Sequence, residues 1–210
     1  MPSLTTLFAF AVVCLGFVLT PGPNMMYIVS RSICQGPVAG LISLGGIATA
    51  FVIYMTCAAL GITALLLTVP YAYDALRLAG AAYLAYLAWK TLKPGGRAPF
   101  EVRGLPADTP RRLFAMGFLT NLLNPKAAVL YLSLLPQFIR PEQGSVLQQS
   151  LALCLVQFTI SMSVNALIAL GAGSIAGFLS SRPSWLAVQR WFMGGVLSLL
   201  AVRMATESRR

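Results

Sequence analysis

The sequence contains no histidine and only five acidic residues in 210. The commonest metal ligand and the usual general base near neutral pH are therefore both missing. The four cysteines, Cys14, Cys34, Cys57 and Cys154, stand apart with no C-x-x-C pair. Neither a zinc site nor a thiol redox couple is expected, and the cysteines read as small residues filling helix contacts. Asp74, Glu101, Asp108, Glu142 and Glu207 are the whole acidic complement, and none of them reads as lying inside an apolar run. A membrane-embedded hydrolase or oxidoreductase would thus have little to work with: no catalytic residue, metal or cofactor is expected.

Charge of either sign is scarce. Charged residues make up 10 % of the chain and hydrophobic ones 58 %, a balance outside the range of soluble globular domains. The chain reads as an all-α integral membrane protein. Its formal net charge of +10 does not point to nucleic acid, because the basic residues gather in loops and at helix ends, where they orient a membrane protein.

Two short polar segments interrupt the apolar runs. Leu119-Thr-Asn-Leu-Leu-Asn-Pro-Lys126 lies inside an apolar stretch from Leu113 to Ile139. That stretch is longer than the roughly 20 residues a span needs. A lysine at mid-bilayer costs about 2.5–3.5 kcal/mol on insertion scales, and Pro125 has no N–H for the helix ladder. Two half-helices are expected, with Asn124 as N-cap and Pro125 as the first residue of the second. Thr20-Pro-Gly-Pro-Asn24 makes a second such break, and a half-helix is expected to start near Asn24. Irregular backbone at membrane depth survives only where protein or a wet cavity surrounds it. Paired interruptions in two halves of a chain point to a transporter binding site at the midplane.

Six spans are expected. Span 1 runs from Leu4 through the break to Ile33; with no basic residue before it and no A-x-A at its end, it reads as retained and not as a cleaved signal. Span 2 runs from Val38 to about Leu67, with Gly40, Gly45, Gly46 and Gly61 for close helix approach and Thr49 and Thr56 as its main polar groups. Span 3 runs from about Ala75 to Leu92. Residues 93–112 form a basic hydrophilic loop. Span 4 is the second broken stretch, and span 5 runs from about Val146 to Ala172. Its Gln157, Ser161, Ser163 and Asn165 are expected on one face, either bonding between helices or lining a cavity. Gly171 to Ser184 reads as a loop, and span 6 covers about Trp185 to Met204.

The organisation is therefore a three-helix repeat over 1–92, a loop over 93–112 and a three-helix repeat over 113–210. An odd number of spans on each side makes this an inverted repeat, with helices 1 and 4 discontinuous. Arg77-Leu-Ala-Gly-Ala-Ala-Tyr-Leu in span 3 and Arg190-Trp-Phe-Met-Gly-Gly-Val-Leu in span 6 are faintly alike. Arg31, Lys90, Lys93, Arg97, Arg103, Arg111, Arg112, Arg182 and Arg190 share one side, against Arg77, Arg140, Arg203, Arg209 and Arg210 on the other. That bias puts the central loop in the cytoplasm and both termini outside, although the C-terminal arginines pull weakly the other way.

These breaks suit a small zwitterion. Half-helix N-termini favour a carboxylate, and Lys126 can add full charge or give up its proton in a dry pocket. Freed carbonyls, with the side-chain oxygens of Asn121 and Asn124, can hold an ammonium. The candidate substrate-binding residues are Pro21, Gly22, Pro23, Asn24, Asn121, Asn124, Pro125 and Lys126. Lys126 and Asp74, at the mouth of span 3, are the candidates for proton coupling. The bland alternatives are that Pro and Asn only kink the helices, and that Lys126 snorkels to an interface.

Thr20-Pro-Gly-Pro-Asn24, Ser30-Arg31 with Gly36, Leu78-Ala-Gly-Ala-Ala-Tyr-Leu84, and Gly117-Phe-Leu-Thr-Asn-Leu-Leu-Asn-Pro-Lys126 with Pro136-Gln-Phe138 resemble blocks of the LysE/RhtB amino-acid exporters. That family includes the lysine, homoserine/threonine and leucine efflux proteins of bacteria. The resemblance covers nearly the whole chain, in order and spacing. It implies a multi-pass plasma-membrane exporter of amino acids or close analogues, driven by the proton-motive force and often dimeric. Many relatives carry an acidic or other polar residue after a glycine pair in span 2; here Gly45-Gly46-Ile-Ala-Thr-Ala-Phe51 offers only Thr49. A small channel, a helper subunit or a membrane-embedded enzyme are the alternative readings.

Overall fold

A computed structural model describes residues 2–20, 22–68 and 106–180, with scattered positions between 75 and 93 and between 191 and 206. The described residues are helical, and no strand occurs among them. Spans 3 and 6 and most of the central loop lie largely or wholly outside the described residues, as does Asp74.

Helix α1 covers Leu4–Leu19, capped by the Ser3 hydroxyl, which accepts from the Thr6 N–H. It stops at Thr20, whose backbone is extended, because the residue before a proline is pushed out of helical geometry. Gly22 is also extended and caps α2, Pro23–Gln35. The two axes meet at 55°. Helix α2 therefore begins next to Asn24, as expected, with Gly22 at the cap position. Gly36, at φ 87°, turns the chain into α3, Pro37–Thr68.

The second break has the expected form. Helix α4 covers Pro110–Leu122, capped by Thr109, and α5 covers Pro125–Val129, with the Asn124 side chain accepting from the Lys126 N–H at 3.0 Å. A wide π-type turn over Leu130–Leu134 and a tighter 3-10 turn over Leu135–Phe138 follow. Pro136, with no N–H to give back to Leu132, stops the α ladder from continuing. The two arms of this pair meet at 48°. Helix α6 covers Val146–Ser180. The loop expected from Gly171 is therefore corrected: the helix carries on through Gly171, Gly173 and Gly177. Gly171 and Gly173 lie within the apolar stretch Val146–Ser174, where lipid would offer no substitute partner for an opened backbone hydrogen bond.

Within α3, Pro37–Gly61 is long and apolar enough to cross a membrane, as is Val146–Ser174 within α6; each bent pair passes the same test as one span. The outward face of α1 carries Leu4, Phe8, Val12 and Leu15, all exposed, as lipid-facing helices require. Inside, Phe10 meets Phe138 edge-on at 4.9 Å, and Tyr131 stacks on Tyr54 at 5.5 Å. Helix α3 lies directly against α4. A Cβ at Gly46 would meet the Phe114 carbonyl, and one at Gly117 would meet the Ser43 carbonyl. Thr49 and Thr56 bond back to the Gly45 and Val52 carbonyls and are exposed, so these two threonines of span 2 face outward.

Candidate functional site

The two breaks come together in space. Asn24, in the first turn of α2, donates its amide to the Asn121 Oδ1 at 2.8 Å. Asn121, fully buried near the end of α4, donates in turn to the Ile47 carbonyl at 2.9 Å. This bridge joins α2, α4 and α3 across 97 positions of sequence. It engages both ends of the Asn121 carboxamide, and the Asn124 oxygen caps α5. The two oxygens expected to hold an ammonium each already accept one hydrogen bond from the protein itself.

Lys126 is the centre of the site. Its side chain is 7 % exposed. Its ammonium donates to the Thr20 carbonyl at 2.5 Å and lies 4.9 Å above the centre of the Phe17 ring. Thr20 ends α1, so the charge sits at the negative end of a helix dipole and on an aromatic face, both favourable for a cation. The lysine stem runs past Gly22, where a Cβ would approach its Cδ to 3.1 Å. Lys126 is thus turned into the protein and does not snorkel.

A cavity of about 40 Å³ opens at this point. That is room for a few water molecules. Gly22, Asn24, Asn124 and Lys126 line it, and Gln157, Ser161 and Asn165 of α6 form the facing wall. Tyr131 donates to Gln157 Oε1. Asn165 donates to the Ser161 carbonyl at 2.8 Å. The side-chain oxygens of Asn24 and Asn165 are buried and have no partner among the described residues.

Of the expected site residues, Gly22, Asn24, Asn124 and Lys126 converge on this cavity. Pro23 is exposed at the start of α2. Pro125 begins α5, and Asn121 is buried, bonded to Asn24 and Ile47. Pro21 and Asp74 lie outside the described residues. Thr20 and Phe17 are not among the expected site residues, whereas Gln157, Ser161 and Asn165, expected either to bond between helices or to line a cavity, do line it. The four-residue spacing of Gln157, Ser161 and Asn165 signals the wall, whereas a backbone carbonyl such as that of Thr20 leaves no mark in a sequence. Ser163, expected on the same face, is exposed on another side of α6.

The profile of a family described as LysE type translocator matches residues 15–208. A homoserine/homoserine lactone efflux protein of Salmonella typhimurium is 29 % identical over 90 % of both chains. A leucine efflux protein of Salmonella choleraesuis is 27 % identical over 90 % of this chain and 89 % of its own. An uncharacterized membrane protein, YrhP of Bacillus subtilis, is 28 % identical over 70 % of this chain and 74 % of its own. No solved structure matches.

Proposed function

The chain belongs to the LysE type translocator family, and from that premise we propose that it exports amino acids or close analogues from the cytoplasm. Relatives over nine-tenths of its length are named for homoserine, homoserine lactone and leucine efflux, which favours neutral solutes of that size. The observation that carries the reading is the buried Lys126 ammonium in a small, mostly apolar cavity with a few polar groups, between two broken helices. One cation and several acceptors within a few side chains of each other suit a molecule bearing both signs. A carboxylate pairs with Lys126 in a strong charge-assisted contact, and the polar wall of α6 receives the rest.

The proposed cycle is proton antiport in the bacterial inner membrane, with the central loop cytoplasmic, both termini outside and two copies associating as a homodimer. Lys126 is the proposed coupling group, since Asp108 and Glu142 sit at helix ends away from the cavity; Asp74 is the second candidate. The two inverted repeats would rock about the paired breaks to expose the cavity to each side in turn. Overexpression in bacteria, followed by comparison of amino acids in the medium and of tolerance to toxic analogues, tests the reading. Higher export of at least one neutral amino acid is expected; no change across a broad panel would refute it.

A further inference from the structure

Two carboxamides on the cavity wall share an asymmetry. The Asn165 nitrogen is held on its own helix by the Ser161 carbonyl at 2.8 Å and the Ser161 hydroxyl at 3.4 Å. The Asn24 nitrogen is held by Asn121. In each case the nitrogen donates within the protein, and the oxygen is left buried with no donor to accept from among the described residues. Asn165 is 3 % exposed, and buried side-chain acceptors nearly always find a partner. What both lack is a hydrogen-bond donor. The cationic group of the cavity, Lys126, is committed to the Thr20 carbonyl.

We propose that Asn165 and Asn24 form a subsite for a primary ammonium group, opposite Lys126. An ammonium brings three N–H donors and no acceptor, so it matches two orphan oxygens and would be mismatched with a wall of donors. The assignment deepens the exporter reading and rests on it for the identity of the molecule: the ammonium is that of an amino acid whose carboxylate faces Lys126. Helix α6 then becomes the element that senses the amino group, while α5 senses the carboxylate. Closing on a zwitterion joins α2, α5 and α6, and a solute lacking either charge leaves one wall unsatisfied. Asn24 keeps its bridge to Asn121 in this arrangement, so Asn165 is the position at which the subsite is varied without cutting that bridge.

Propylammonium is the probe, read by thermal unfolding of the purified protein in detergent, which needs no transport. A saturable rise in melting temperature is expected for the unsubstituted protein. None is expected with tetramethylammonium, which has charge but no N–H. Asn165→Leu should abolish the rise, and Asn165→Asp should reach the half-maximal shift at a concentration at least tenfold lower. Asn165→Asp also serves where Asn165→Leu fails to fold. A flat response of the unsubstituted protein, or equal responses in all three proteins, would overturn the subsite. Protection by propylammonium in a protein that exports no amino acid would leave the subsite standing and remove the exporter reading instead.

Discussion

The Lys126 ammonium donates to the Thr20 carbonyl at 2.5 Å, so a charge from one half of the chain closes the helix that ends in the other. The contact links the break after α1 to the break before α5. Any solute that draws Lys126 toward a carboxylate also frees the end of α1. Lys126→Met keeps the length of the side chain and removes the charge. An unpaired carbonyl costs about 1–3 kcal/mol, but a buried cation disappears with it, so the expected melting temperature is unchanged or higher. Transport should fall by about two orders of magnitude, as for the loss of a charge-assisted contact of about 3 kcal/mol. Lys126→Gln should behave alike. Full transport by either variant would show that the lysine is structural.

Adjacent glycines in α3 should differ sharply. A Cβ at Gly46 would run into the backbone of α4 at Phe114 and Phe118, whereas one at Gly45 would meet the Phe114 ring at 3.7 Å, an ordinary contact. Gly46→Ala must push two helices apart, at about 1–3 kcal/mol for overpacking. Gly45→Ala should be neutral. Melting temperatures and membrane yields of the two variants check the register of α3 on α4, and equal effects would contradict it.

A clasp at the other end of α2 joins it to the start of α4. Asp108 accepts from Arg31 at 2.8 Å and from Arg112 at 3.1 Å. Its backbone exchanges two hydrogen bonds with the Gln35 carboxamide, each of 2.9 Å. The Asp108 side chain is 5 % exposed and that of Arg31 14 %, so this is not a surface pair. Arg31→Gln and Asp108→Asn should each destabilise, because each leaves a partner charge poorly satisfied. The double variant should cost less than the sum, with a coupling of at least about 1 kcal/mol. Additive effects would mean that the two charges act independently.

The break at Asn124-Pro125 was readable from residue types, since proline lacks the N–H and asparagine caps the next turn. The start of α2 was less so. Asn24 stands at the expected start, but its side chain crosses to Asn121, and no local pattern reports a partner so far along the chain. The glycines of α6 were misread as a loop because glycine ends helices in water, where opened backbone can be solvated, and not in lipid. Lys126 was legible as an anomaly, whereas its partner was not: the Thr20 carbonyl is common to every residue type. The small polar residues of α6 could be placed on the helix by spacing, but spacing alone did not tell which of them turns inward.

That last ambiguity makes the sharpest test of the cavity. Ser161 and Ser163 are two positions apart, hence about 200° apart around a helix. Ser161 is buried and lines the cavity, while Ser163 is exposed on the outer surface of α6. Ser161→Leu adds bulk to a space of about 40 Å³ that a solute must enter. It should cut transport at least tenfold, while the protein stays folded in the membrane. Ser163→Leu places the same side chain among others such as Leu167 and Leu170, which are exposed on α6. Lipid accepts it there, and transport should change by less than twofold. Vesicles carrying each variant, compared for initial export rate at matched protein level, separate the two. If Ser163→Leu were the damaging change, α6 would have to be rotated by about half a turn, and the Gln157–Ser161–Asn165 wall would face away from Lys126.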